Sequence, residues 1–105
     1  MRAETKATAI SPSVKWAVWY RDHGECALCG AALPVTCSNA HIVRRSQGGR
    51  GVEQNIVTLC PACHREMDEG RDAKALKAIV VNYIKDFYPN WTEASVTYHK
   101  GGNNV

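Results

Sequence analysis

The sequence lacks any long apolar run. No stretch of its 105 residues approaches the ~20 consecutive apolar residues needed to cross a membrane. Met1 to Ser11 carries Arg2 and Lys6 but no apolar core of signal-peptide length. No membrane partner is therefore expected, and the chain reads as soluble and cytoplasmic. An even cysteine set is also lacking. The count is five, which argues against a closed disulfide framework and, in a reducing compartment, for thiolates on a metal. There is no internal repeat and no strong charge of one sign. The formal charge is +3 and the pI near 8.7, which permits a phosphate-rich partner without requiring one. The length fits one compact domain, and a core this small gains from a staple.

The chain divides into a disordered leader (1–10), a single domain (11–100) and a flexible tail (101–105). Ser11-Pro12 has the form of an N-cap followed by proline at the first helical position. Trp16, Ala17, Trp19 and Tyr20 recur at helical spacing, and Gly24 ends the helix after His23. Val35–Val43 reads as a strand, residues 44–54 as a polar, glycine-rich loop, and Ile56–Leu59 as a second short strand. Cys60-Pro61 opens another helix that Gly70 closes. Asp72 caps the last one. There Leu76, Ile79, Val80, Tyr83, Ile84 and Phe87 form an amphipathic stripe, read as core, before Pro89 stops it.

Cys26-x-x-Cys29 and Cys60-x-x-Cys63 are two matched pairs. A C-x2-C spacing lets both sulfurs of a pair converge on one ion, and four thiolates fill a tetrahedral zinc. Cys60 and Cys63 stand at a helix N-terminus, where exposed amides favour thiolate. A structural Zn2+ is expected there. Cys37 is left over and reads as a small buried apolar residue. His23 and His99, outside any motif, read as surface or packed residues.

Between and beside these pairs lie Ala40-His41-Ile42-Val43-Arg44-Arg45-Ser46-Gln47-Gly48-Gly49, then Glu53-Gln54-Asn55-Ile56-Val57-Thr58-Leu59-Cys60, then Cys63-His64. This pattern resembles the HNH endonuclease signature, in particular small four-cysteine HNH proteins of phage and prophage genomes. The resemblance runs from about Cys26 to Asp68, and Tyr88-Pro89-Asn90-Trp91 is similar too. It implies an α+β fold: a small ββα-metal (His-Me finger) core with a structural four-cysteine zinc site and flanking N- and C-terminal helices. It implies His41 on the first strand as general base, Asn55 as the brace of the loop that aims His41, and His64 as ligand of a catalytic Mg2+, Mn2+ or Ni2+. A histidine near its ordinary pKa can accept a proton from water at neutral pH. A divalent ion on the scissile phosphate stabilises the leaving oxygen.

One position departs from the pattern. Many family members place a metal ligand directly before the catalytic histidine, where this chain has Ala40. Asp68, four residues after His64 on the same helical face, is the candidate replacement. Arg44, Arg45, Arg50 and Arg65 gather positive charge nearby and are candidate DNA contacts that position the backbone without reading sequence. The reading is a metal-dependent DNA endonuclease or nickase. Its rivals are a zinc-stabilised nucleic-acid-binding module or a packaging accessory without independent catalysis. The resemblance makes DNA the expected partner, with phage terminase and packaging proteins beside it, in a bacterial host.

Overall fold

The computed structural model describes residues 3–99, so the tail expected over 101–105 lies outside the described residues. Among the described residues there are four helices, α1 (Ala3–Thr8), α2 (Pro12–Arg21), α3 (Pro61–Glu69) and α4 (Ala73–Phe87), and a two-stranded antiparallel sheet of β1 (Ala40–His41) and β2 (Ile56–Val57). Ala40 stands opposite Val57 and His41 opposite Ile56. Short 3-10 turns occupy Val35–Cys37, Arg45–Gln47, Glu53–Asn55 and Ala94–Val96. The result is the small α+β core expected of the sequence, with the four-cysteine cluster beside it.

The caps act as the sequence predicts. The Ser11 hydroxyl accepts from Val14 N–H and Pro12 opens α2. The Cys60 sulfur accepts from Cys63 N–H, Pro61 opens α3, and Gly70 follows its last turn. Asp72 precedes α4, but no side-chain hydrogen bond caps that helix.

Further expectations change, and the second strand, expected over Ile56–Leu59, is only Ile56–Val57. The strand expected over Val35–Val43 is only Ala40–His41. Its first residues turn into a 3-10 helix, and Ser38 is fully buried with its hydroxyl 3.1 Å from that of Thr58. Residues 3–8 of the expected leader are helical, and Thr8 is buried because the chain there docks against residues 41–51.

The core gathers Ala40, Ile42, Val57, Leu59, Met67, Val80, Ile84, Trp91 and Val96. Of the α4 stripe, Val80 and Ile84 are fully buried, while Ile79 is 52% and Phe87 44% exposed. The apolar stripe is thus wider than the face that α4 turns to the core. Asp22, at the end of α2, is a buried knot. Its carboxylate accepts from Arg21, from Tyr83 Oη–H and from Thr58 N–H, tying α2 to α4 and β2. Arg21 also donates to the Glu53 and Ile56 carbonyls, which satisfies its own partly buried charge.

Candidate active site

Strand β1 alternates its side chains. Ala40 faces the core at 0% exposure, which leaves His41 half-buried at the surface. The His41 Nε2 lies 2.9 Å from the Thr8 carbonyl oxygen. Burial holds the imidazole below its ordinary pKa of 6.5. The charges of Arg45 and His64 push the same way, against the Thr8 carbonyl and Asp68. His41 is accordingly neutral over a wider range at and below neutral pH than a free histidine.

Asn55 is fully buried just before β2 and closes the loop that follows His41. Its Oδ1 accepts from Val43 N–H at 2.8 Å. Its Nδ2 donates to the Val43 carbonyl at 3.2 Å and to the Arg50 carbonyl at 2.9 Å. Its own carbonyl accepts from Ile42 N–H. Gly49 makes this closure possible: a Cβ there would sit 1.7 Å from the Val43 oxygen.

On α3, His64 and Asp68 stand one turn apart, with Nε2 and Oδ2 3.2 Å from each other. Both are about one-third exposed. They share a cleft of about 430 Å³ with His41, Arg44, Arg45, Ser46 and Glu69. Two adjacent ligands of an octahedral ion at about 2.1 Å stand about 3 Å apart, so this N,O pair fits a small divalent cation. Ala40 offers no donor and is buried, so it can contribute no ligand there. Arg44 donates to the Asp68 carbonyl, which ties the loop to α3. Arg45 donates to Thr8 Oγ1. Arg50 and Arg65 do not line the cleft; Arg50 lies over the Tyr98 ring.

The sulfurs of Cys26, Cys29, Cys60 and Cys63 lie within 4.8 Å of one another, the one such metal-capable group among the described residues. Tetrahedral bonds of about 2.3 Å place sulfurs about 3.8 Å apart, and Cys29 and Cys60 Sγ are 3.8 Å apart. The backbone N–H of Cys29 points at Cys26 Sγ and that of Cys63 at Cys60 Sγ, each at 3.4 Å. Burial pushes the Cys26 thiol up, but the backbone N–H groups of Cys29, Cys60 and Leu28 outweigh it and bring it down to about 7. Cys63 is pushed far up, by burial and then by its three neighbouring sulfurs. Cys29 is pushed up as well, so one lowered thiol stands among raised ones, a crowding that a bound cation relieves. Cys37 is half-buried and outside the cluster, less enclosed than the sequence predicts. His23 and His99 are exposed.

Sequence reasoning misses two contributors. Thr8 acts through a backbone carbonyl, and no side-chain pattern signals that. Asp22 reads as an ordinary polar residue at a helix end; the adjoining Arg21 is its only signal.

No helix among the described residues is long and apolar enough to cross a membrane. The family model described as HNH endonuclease matches residues 26–79. The chain is 33% identical over 78 residues to the Type IV methyl-directed restriction enzyme EcoKMcrA of Escherichia coli (strain K12). That match covers 68% of this chain and 28% of the relative, so the chain spans less than a third of the restriction enzyme. No solved structure matches significantly. With the paired cysteines, the ββα core and the His41, Asn55 and His64 positions inside the matched stretch, the chain belongs to the HNH endonuclease family.

Proposed function

We propose that the chain is a metal-dependent DNA endonuclease or nickase that hydrolyses phosphodiester bonds, with His41 as general base. The observation that carries this reading is the cleft that His41, His64 and Asp68 share with two arginines. A base, a cation-binding pair and phosphate-binding charge are the groups that phosphodiester hydrolysis needs at one point. The neutral His41 ring takes a proton from water and leaves hydroxide to attack phosphorus. His64 and Asp68 would hold a divalent ion (Mg2+, Mn2+ or Ni2+), which would supply positive charge for the leaving 3′ oxygen. Asn55 holds the loop of residues 43–50 closed, so that the strand carrying His41 keeps its aim. Arg44 and Arg45 bind the DNA backbone at the cleft, and Arg50 and Arg65 extend the charge beyond it. Zinc is the ion assigned to the four cysteines, because all-sulfur tetrahedral sites suit it and its role there is to fold the domain. The reading includes no phage terminase partner, since the relative found is a restriction enzyme.

Buried Ala40 favours a second reading, a zinc-stabilised nucleic-acid-binding module in which the metal pair is too weak for catalysis. Cleavage of supercoiled plasmid across Mg2+, Mn2+ and Ni2+ separates the two. Nicking or linearisation that requires metal, with a loss in His41→Ala of about 10²-fold or more, supports the nuclease. DNA binding without cleavage by the wild type supports the module.

A further inference from the structure

The geometry points to Ala7–Ala9 as a positioning strap whose Thr8 carbonyl fixes the His41 ring with Nδ1 as its free, proton-accepting nitrogen. This rests on the reading of His41 as general base and adds the part of the chain that orients it.

A carbonyl oxygen can only accept a hydrogen bond. The 2.9 Å contact therefore requires the proton on His41 Nε2. A neutral imidazole carries one N–H, so Nδ1 is left with the lone pair. The partner of one ring nitrogen thereby selects the tautomer and holds the ring plane.

The strap holds the ring from behind and does not fill the cleft. His41 lines the cleft; Thr8 does not, and it is 2% exposed. The segment is also docked independently of His41. Gly51 N–H donates to the Ala7 carbonyl at 2.9 Å, and Arg45 Nε donates to Thr8 Oγ1 at 3.0 Å. Gly51 admits the strap by having no side chain: a Cβ there would stand 2.0 Å from the Ala9 oxygen. A contact that close forces backbone to move, because no flexible side chain is available to yield. The strap itself, residues 7–9, lies outside residues 26–79, the stretch that carries the family match, while His41, Arg45 and Gly51 lie inside it.

The test uses the full-length, metal-loaded protein, a Gly51→Ala variant and a variant lacking residues 2–9. Long-range 15N–1H NMR correlations report which His41 nitrogen carries the proton, and steady-state plasmid cleavage gives kcat and KM. Wild type is expected to show one tautomer, protonated at Nε2. Both variants are expected to lose that single tautomer and about 10- to 100-fold in kcat. Their KM should stay within about twofold, with the metal content of the four-cysteine site unchanged. A wild-type proton on Nδ1 overturns the proposal, and so do variants that keep both the tautomer and the wild-type kcat. The wild-type spectrum can overturn the strap even if neither variant folds. If the wild type shows the Nε2 tautomer yet cuts no DNA with any metal, the nuclease reading fails and the strap geometry stands.

Discussion

Asn55 carries more backbone closure than any other single side chain near the cleft. Its amide satisfies the buried Val43 N–H and carbonyl and the part-buried Arg50 carbonyl. Truncation leaves several orphaned polar groups, each costing roughly 1–3 kcal/mol. Asn55→Ala should lose about 3 kcal/mol of stability by denaturant titration, together with most cleavage activity. Asp68 is the complementary case, a partly exposed carboxylate whose partner is His64. Its removal should leave the fold intact and weaken Mn2+ binding about tenfold or more, read by isothermal titration. Unchanged affinity would remove Asp68 from the metal site. These residues were legible for opposite reasons. His41, Asn55 and His64 stand in a recognisable pattern, whereas Asp68 is found only by helical spacing. The absence of Arg50 and Arg65 from the cleft lining was not legible, because local sequence places a loop but not the direction its side chains take.

Among the elements, the three longer helices were the clearest in the sequence. Ser11-Pro12, Cys60-Pro61 and Gly70 are local signals, and local hydrogen bonds enforce them. The first strand was the least legible. β-branched residues at Val35 and Thr36 suggest extension, but the buried Ser38–Thr58 hydroxyl contact belongs to a bent chain, and only a two-residue ladder remains. Helix α1 is not signalled locally, because its last residues, Ala7 and Thr8, are held by contacts 33 to 44 positions away. Helix α3 carries candidate ligands of both proposed metal sites: Cys63 in its first turn, His64 beside it and Asp68 one residue before its end. Stripping the four-cysteine site should therefore release the N-terminus of α3 and disorder the cleft as well. Chelation strong enough to remove that ion is expected to abolish cooperative unfolding in circular dichroism. Restoring Zn2+ should recover it, and retention of a sharp transition in the stripped protein would argue against a folding role.

Across the whole molecule, both ends of the described chain converge on the loop after His41. Residues 7–9 dock on one side, through Gly51. Val96–Tyr98 dock on the other, where Arg50 N–H donates to the Val96 carbonyl and Tyr98 N–H to that of Gly48. The core beneath is small and depends on a few side chains. Ile84, fully buried on α4, should cost about 2–5 kcal/mol when truncated to alanine, measured by thermal or denaturant unfolding. Such a fold leaves little slack, so a residue can alter the cleft through packing alone. The central claim, that His41 is the base, is tested most directly by the pH dependence of single-turnover DNA cleavage. A base must be neutral to act, so the rate should rise with pH and level off once His41 has lost its proton. Because burial holds that group below its ordinary value, the midpoint should fall below 6.5. His41→Ala, verified as folded and metal-loaded, should lose this limb along with about 10²- to 10⁴-fold in rate. An unchanged acid limb in the folded variant, at near wild-type rate, would contradict the account.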